Sequence, residues 1–293
     1  MVWVRFVLAL LVSAMSLACS YAQAPKLPEG TTVEKNLAYG EHERQKLDVF
    51  VPAGDGPFPL IVWVHGGAWE AGSKERNPAA TFLKSGFVVA SINYRYSKQA
   101  VFPAQIHDCK ASIRWLRANA KKYKIDPDHI GVMGASAGGH LVALLGTSGG
   151  VKELEGDLKP TDQSSKVQAV CDWFGPTELI KLSPPDAKTG PIARLLGGST
   201  GEKKDLAILA NPITHITKDD PPFVILQGDK DPLVAAEQSE LLQDALTKAG
   251  VPSELIVFKG AGHGDGEFRK QLADDANKNK IPEFFEKHLK PKK

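Results

Sequence analysis

The chain has 293 residues, with 36 Lys or Arg against 34 Asp or Glu and a formal net charge of +2 at pH 7. This near-balance of charge does not indicate a basic stripe for nucleic acid or a funnel for acidic substrates, so we expect no nucleic-acid partner. The length suffices for one large domain with a substantial core. No C-x-x-C or H-E-x-x-H spacing occurs, so a zinc site has little support, and we expect neither a metal nor a cofactor.

The first 22 residues are typical of a secretory signal peptide rather than of a folded domain. Arg5 supplies a positive start, the apolar run FVLALLVSAMSLA follows, and small residues precede a cleavage that we place after Ala22. A lipoprotein signal ending at Cys19 is the alternative, although Ser16 stands where an aliphatic residue is usual. Because the apolar run is too short for a membrane span, we expect an exported protein, periplasmic or extracellular, without a stable membrane span.

The mature chain is predicted to be a linker, residues 23–31, followed by one domain, residues 32–293. Two opening strands precede an alternation of strand and helix patterns. Six later strands are almost continuously apolar: FPLIVWVH, FVVASINY, HIGVMG, VQAVCDWFG, PPFVILQG and SELIVF. This pattern predicts an α/β fold with a mostly parallel sheet of about eight strands, covered by helices on both faces.

One stretch departs from the alternation. Residues 176–218 form a long connection rich in Pro and Gly. Connections of this length inside a compact domain are usually lids or binding loops. We expect one or two short helices here and therefore only a small lid.

A serine lies between two glycines at a predicted strand-to-helix junction. Gly134, Ser136 and Gly138 form the pattern G-x-S-x-G. Glycines tolerate the close backbone approach of so tight a turn, which can lift a nucleophilic hydroxyl clear of the sheet edge. Because this short pattern also arises by chance, the residues at the neighbouring strand ends must decide its meaning.

The carboxyl ends of parallel strands share one edge of a sheet, where ligands bind. His263 follows the last strand in a glycine-flanked loop and is the predicted base for Ser136. A carboxylate must orient that histidine, and Asp229 and Asp231 compete for the role. We favour Asp231, because DPLV starts the turn into the next helix and can reach across to the histidine loop.

The HGGAW segment at residues 65–69 follows another strand and predicts an oxyanion hole, a set of N–H donors for a developing negative charge. The expected donors are the backbone N–H groups of Gly67, Ala68 and Ala137. His65 is expected to brace the glycine turn through its ring nitrogens. An ordinary tight turn is the competing interpretation.

HGGAW, GASAGG, GDKDPLV and GAGHG together resemble the serine esterase branch of the α/β-hydrolase fold. The resemblance covers roughly residues 32–289 and points to hormone-sensitive-lipase-like carboxylesterases, with bacterial secreted bifunctional feruloyl and acetyl xylan esterases nearest. It implies an α/β-hydrolase fold and ester hydrolysis through an acyl-enzyme by Ser136, His263 and Asp231. Two departures are Ala135, where an acidic residue is usual, and HGGAW in place of H-G-G-G.

Aromatic residues at the strand ends are candidates for substrate binding. Trp69, Tyr94, Trp173 and Phe174, with Tyr96, follow or end strands near the expected site. At least two are expected to pack in the core, and the others to form a wall suited to short acyl or cinnamoyl groups and to sugar rings. The expected partner is thus a small-molecule or carbohydrate ester, with esters of plant-wall carbohydrate among the candidates.

Two other functions stay open from the sequence. A prolyl-oligopeptidase-type peptidase shares the triad but usually carries a β-propeller ahead of the hydrolase domain. A binding protein on a hydrolase scaffold typically lacks a triad member, and all three members occur here.

Cys109 and Cys171 would be the two cysteines of the exported chain. Export favours one disulfide between them, and two buried free thiols are the equal alternative.

Overall fold

The structure is a computed structural model that describes residues 26–290. The predicted signal peptide and its cleavage site therefore lie outside the described residues. Residues 26–31, the described part of the predicted linker, contain neither helix nor strand.

Eight strands form a single mixed sheet in the order β1-β2-β4-β3-β5-β6-β7-β8. The strands are β1 (Thr32–Ala38), β2 (Lys46–Val51), β3 (Phe58–Val64), β4 (Val88–Ile92), β5 (Ile125–Ala135), β6 (Ala169–Trp173), β7 (Phe223–Gly228) and β8 (Ser253–Phe258). Pairing is antiparallel between β1 and β2 and between β2 and β4, and parallel from β4 onward. The prediction of a mostly parallel sheet with an antiparallel opening pair is confirmed.

Helices cover both faces of the sheet. They are α1 (Ala104–Ala118), α2 (Ala137–Thr147), α3 (Lys152–Glu155), α4 (Leu179–Leu182), α5 (Pro191–Leu196), α6 (Lys204–Leu209), α7 (Glu237–Ala249), α8 (Gly266–Ala273) and α9 (Lys280–Leu289), with 3₁₀ helices at Pro78–Ser85 and Pro212–His215. Among residues 26–290, no helix is both long and apolar enough to cross a membrane.

Alternating side chains of each central strand point into two separate hydrophobic cores. Along β3, Leu60 and Val62 enter the core formed with α1, α2 and α7, whereas Ile61 and Trp63 enter the core formed with α8, α9 and the first 3₁₀ helix. Burial on both faces explains why these strands are apolar without interruption.

The two cysteines lie in different cores, and both are free and buried. Cys109 on α1 belongs to the first core, and Cys171 on β6 belongs to the second. Since the sheet separates them, the predicted disulfide is wrong and the alternative of two buried thiols is correct.

The segment of residues 176–218 contains more helix than the sequence indicated. It holds α4, α5, α6 and the second 3₁₀ helix instead of one or two short helices. None of these exceeds six residues, which is too short for a helical period to stand out. Leu195 of α5 is fully buried, and its carbonyl accepts a hydrogen bond from the Phe102 N–H at 2.8 Å, so the segment packs onto the domain.

Candidate active site

Ser136 occupies a strained turn between β5 and α2. Its φ of 56° and ψ of −122° are unfavourable for a residue with a side chain. A Cβ atom on Gly138 would lie 2.1 Å from the Val64 carbonyl oxygen, and one on Gly134 would lie 2.4 Å from the Gly138 carbonyl oxygen. The glycines of G-x-S-x-G are thus a steric requirement of this turn.

The structure brings Ser136, His263 and Asp231 together from three loops at the carboxyl edge of the sheet. His263 Nε2 lies 2.8 Å from Ser136 Oγ, and His263 Nδ1 lies 2.6 Å from Asp231 Oδ2. The histidine side chain is 16% exposed and the Asp231 side chain is fully buried. The order Ser–His–Asp within this hydrogen-bonded chain is the one that the sequence analysis proposed.

Asp231 is held as a carboxylate acceptor. Besides His263, it accepts hydrogen bonds from the N–H groups of Leu233 at 2.8 Å and Val234 at 2.9 Å. Burial raises the pKa of this carboxyl, but the hydrogen bond to His263 and those from the two N–H groups outweigh burial and lower the pKa below its ordinary value. Asp229 instead accepts the N–H of Gly260 at 2.6 Å, in the same loop as His263 but three residues before it.

Gln227 at the end of β7 contacts Asp231 and the turn that follows it. Its fully buried amide nitrogen donates to the Val234 carbonyl at 3.2 Å and lies 3.4 Å from Asp231 Oδ2. Its amide oxygen accepts the Ser239 hydroxyl at 2.8 Å. Sequence reasoning missed this residue, although a single amide at the end of the apolar strand PPFVILQG is a usable signal.

The HGGAW segment lies against Ser136. A Cβ atom on Gly66 would be 2.6 Å from the Ala135 carbonyl oxygen and 3.3 Å from Ser136 Cβ. Gly67, Ala68 and Trp69 all have positive φ, at 114°, 54° and 59°. Three consecutive residues with positive φ are unusual and keep this segment from continuing as a right-handed helix.

The expected oxyanion-hole donors differ in their roles. Within residues 26–290, the N–H groups of Ala68 and Ala137 donate to no acceptor. The Gly67 carbonyl accepts the N–H groups of Glu70 and Ala71, both at 2.9 Å, which closes the turn.

His65 braces this loop, as the sequence predicted. Its Nδ1 lies 2.7 Å from the Gly66 carbonyl oxygen, and its Nε2 lies 3.2 Å from the Arg44 guanidinium. Burial, with a contribution from the Arg44 charge, lowers the pKa of His65 to about 4, so the ring is neutral and accepts from Arg44. The Tyr94 hydroxyl donates to the His65 carbonyl at 3.0 Å, and the two rings are stacked.

Arg44 is a second residue that sequence reasoning missed. It lies in the turn between β1 and β2, donates to the Tyr94 carbonyl at 2.8 Å and covers the Tyr96 ring at 3.6 Å. No motif surrounds it, because its contacts arise only when the opening hairpin packs beside the HGGAW loop.

Three of the four predicted substrate-binding residues are core residues. Tyr94 is fully buried, so the prediction that it contacts the substrate is wrong. Trp69 and Phe174 are each only 3% exposed. The Phe174 ring packs beneath His263 with centroids 4.5 Å apart. Trp173 is half-buried and keeps an accessible surface at the end of β6.

A buried carboxyl lies beneath the elbow. Asp172 on β6 is fully buried; its Oδ1 accepts the Gly175 N–H at 2.9 Å, and its Oδ2 has no partner among residues 26–290. Burial raises the pKa of Asp172 to about 7, although the Gly175 bond opposes this shift. The signal in the sequence is one acidic residue inside the apolar run VQAVCDWFG.

The segment of residues 176–218 reaches the edge of this site. The Arg194 guanidinium of α5 pairs with both carboxylate oxygens of Glu70, which follows HGGAW directly. In the described part of the chain, no group of three or more His, Cys, Asp or Glu side chains could hold a metal ion.

A mixed eight-stranded sheet with a serine elbow at its carboxyl edge, opposite a histidine–aspartate pair, defines the α/β-hydrolase fold. Solved structures agree with this class. A truncated carbohydrate esterase from gut microbiota is 37% identical with a TM-score of 0.79, covering 87% of this chain and 95% of that one. A thermophilic esterase from Thermogutta terrifontis is 28% identical with a TM-score of 0.70, covering 91% of this chain and 96% of that one.

Within this class, the chain belongs to the BD-FAE family, whose model matches residues 47–246. It is 32% identical, over 76% of its length, to the probable carboxylic ester hydrolase LipM of Mycobacterium tuberculosis. It is 27% identical, over 90% of its length, to an isoprenylcysteine alpha-carbonyl methylesterase of Arabidopsis thaliana. The chain spans 53% and 64% of the lengths of these two relatives.

Proposed function

We propose that this protein is an exported carboxylesterase that cleaves short-chain or aromatic esters, such as acetyl and feruloyl esters, including those carried by plant-wall carbohydrate. The observation that carries the proposal is the chain of hydrogen bonds from Ser136 Oγ through His263 to Asp231, at 2.8 and 2.6 Å. The esterases and the carbohydrate esterase reported above support the reaction class.

In the proposed mechanism, His263 Nε2 accepts the Ser136 proton as Oγ attacks the ester carbonyl carbon. The carbonyl oxygen becomes an oxyanion that accepts hydrogen bonds from the N–H groups of Gly67, Ala68 and Ala137. Collapse expels the alcohol, which takes the proton from His263, and leaves an acyl group on Ser136. In the second half, His263 takes a proton from water as the water oxygen attacks the acyl carbon. Collapse expels Ser136 Oγ, which regains the proton from His263, and releases the acid.

Asp231 contributes by orienting the histidine. Its Oδ2 accepts the Nδ1–H, which leaves Nε2 free to act as the base and stabilises the imidazolium when it forms. The lowered pKa of Asp231 keeps this carboxylate ionised throughout the neutral range.

The substrate proposal rests on the surroundings of the serine. The helices of residues 176–218 are short, and the half-buried Trp173 offers an aromatic surface at the edge of the site. This arrangement favours small acyl groups and sugar rings over long aliphatic chains. A peptidase of the prolyl-oligopeptidase type gains no support from the relatives and neighbours reported above.

The test compares p-nitrophenyl acetate, butyrate and palmitate with acetylated xylan and methyl ferulate. We expect the highest kcat/KM on acetyl to butyryl esters, stoichiometric labelling of Ser136 by a fluorophosphonate, and no turnover by Ser136→Ala at unchanged thermal stability. Labelling at a different serine would contradict the mechanism. A higher kcat/KM on palmitate than on acetate would contradict the substrate class.

A further inference from the structure

A buried hydrogen-bonded relay links three elements next to the candidate oxyanion hole. The Trp69 indole N–H donates to His140 Nδ1 at 3.2 Å, and His140 Nε2 lies 2.8 Å from the Ala210 carbonyl oxygen. The two rings are perpendicular, with centroids 5.3 Å apart. The relay therefore joins the HGGAW loop, helix α2 and the segment of residues 176–218.

The chemistry of the two partners fixes the form of His140. An indole N–H can only donate and a carbonyl oxygen can only accept, so Nδ1 must be unprotonated and Nε2 must carry the hydrogen. Burial lowers the pKa of His140 to about 4, which is consistent with a neutral ring. Both ring nitrogens of His140 are thus engaged by Trp69 and Ala210, so His140 is not available as a second base.

The relay ends at a strained part of the backbone. Ala68 and Trp69 are consecutive non-glycine residues in the left-handed region, with φ of 54° and 59°. Each such residue costs free energy and persists only where its surroundings enforce it. The Trp69 side chain is 3% exposed, and the Trp69 carbonyl accepts the Ser97 N–H at 2.8 Å, so both its side chain and its backbone are anchored.

We propose that Trp69 and His140 are positioning residues that hold the Ala68 N–H in the oxyanion hole, an inference that rests on the proposed esterase function. The His140 N–H donates to the Ser136 carbonyl at 2.9 Å, so His140 lies in the first turn of the helix that follows the nucleophile. Through His140, the donor loop is fixed to the same helix as the serine that it must serve. Without this bond, Ala68 and Trp69 lose one of the restraints that keep them left-handed.

Two pairs of variants separate the hydrogen bond from the bulk of the side chains. Trp69→Phe keeps an aromatic ring and removes the donor. His140→Asn keeps an acceptor near the position of Nδ1, whereas His140→Gln places its amide near Nε2 and leaves Trp69 without an acceptor. We expect Trp69→Phe and His140→Gln each to lower kcat by about ten- to a hundredfold at nearly constant KM, and His140→Asn to keep most of the activity.

A double variant tests whether the two residues act through one bond. Trp69→Phe combined with His140→Gln is expected to be no slower than the slower single variant, because the same interaction is removed in each. Multiplication of the two losses would mean independent structural effects and would overturn the proposal.

Trp63→Phe is the matched control. Trp63 is equally buried at 3% exposure, its indole N–H has no partner among residues 26–290, and it lies in the core on the other face of the sheet. The same loss of a bicyclic ring there should leave kcat unchanged. A similar fall of kcat in Trp63→Phe would assign the effect to general loosening and overturn the proposal.

Binding of a trifluoromethyl ketone gives a readout that a purely structural role would not move. Ser136 Oγ bonds to its carbonyl carbon, the serine proton passes to His263, and the carbonyl oxygen becomes an anion in the hole. We expect its affinity to fall by the same factor as kcat in Trp69→Phe, while KM for p-nitrophenyl acetate stays constant. Equal changes in the affinity for the ketone and in KM for p-nitrophenyl acetate would overturn the proposal.

If Trp69→Phe fails to fold, replacement of Trp69 by benzothienylalanine removes only the donor, because sulfur stands in place of the N–H. Unchanged kcat in that protein would overturn the proposal. A wild-type protein that neither hydrolyses esters nor labels at Ser136 would instead refute the proposed function, so the two failures are distinguishable.

Discussion

Asp229 and Asp231 are separated by one residue, yet they bind different partners. Asp231 accepts from His263, Leu233 and Val234, whereas Asp229 accepts only the Gly260 N–H among the described residues. Both carboxylates contact the loop that follows β8, but Asp231 binds the His263 ring and Asp229 binds the Gly260 N–H. This difference allows an internal comparison of the same chemical change at two neighbouring positions.

We expect Asp231→Asn to lower kcat by about four orders of magnitude, because an amide would hold the wrong tautomer of His263. Asp229→Asn keeps an acceptor for the Gly260 N–H and is expected to change kcat only a few-fold. Steady-state kinetics on p-nitrophenyl acetate measures both. The reverse order of severity would assign the histidine's partner to Asp229.

Residues with a motif were predictable and residues without one were not. Ser136, Asp231 and His263 could be placed because parallel strands deliver their carboxyl ends to one edge. Arg44 and the Trp69–His140 bond could not, because each contact joins segments whose separation is set by packing. Gln227 differs, since its partners Asp231, Val234 and Ser239 follow it closely in the chain and its amide at the end of an apolar strand was a usable signal. The burial of Tyr94 was unpredictable, because its position after a strand does not reveal that its ring packs in the core.

At the scale of elements, the elbow between β5 and α2 depends on the close approach of backbone to backbone. The Cβ position of Gly138 faces the Val64 carbonyl of β3, which is fixed within the sheet and cannot move aside. The strand-to-helix turn was readable from the sequence for this reason. The helices of residues 176–218 were not, since four to six residues show no helical period.

We expect Gly138→Ala to lower the free energy of unfolding by about 2 kcal/mol or more and to abolish activity, because the added methyl overlaps the Val64 carbonyl. Urea unfolding followed by tryptophan fluorescence measures the loss. Gly266→Ala is the matched control: a Cβ atom there meets nothing within 4 Å, so stability should change by less than about 0.5 kcal/mol. Equal destabilisation by both changes would refute the steric interpretation.

At the scale of the whole molecule, three buried groups contribute to the dependence of stability on pH between 4 and 7. The pKa values of His65 and His140 fall from an ordinary 6.5 to about 4, and that of Asp172 rises from an ordinary 3.8 to about 7, all through burial. Between pH 4 and 6.5 the unfolded chain binds two more protons at the histidines and one fewer at the aspartate, so stability rises with pH. Above 6.5 only the aspartate acts, and stability falls until about pH 7.

We expect Asp172→Asn to remove the fall above the optimum and to steepen the acid side by about 1.4 kcal/mol per pH unit, because the proton held by the native carboxyl no longer opposes the histidines. Chemical denaturation at a series of pH values from 4 to 9 measures this. His65 and His140 are unchanged in the variant, so stability should still rise with pH between 4 and 6.5. Parallel profiles for the two proteins would mean that Asp172 is ionised in the native state.

Each of the two free cysteines can report the opening of one face of the sheet through its rate of chemical labelling. Cys109 is buried between α1 and the sheet, Cys171 is buried on the opposite face of the sheet, and neither thiol is exposed. A thiol reagent can reach either sulfur only when the layer above it opens. Labelling rates of Cys109→Ser and Cys171→Ser proteins would therefore report whether the two layers separate together or one at a time.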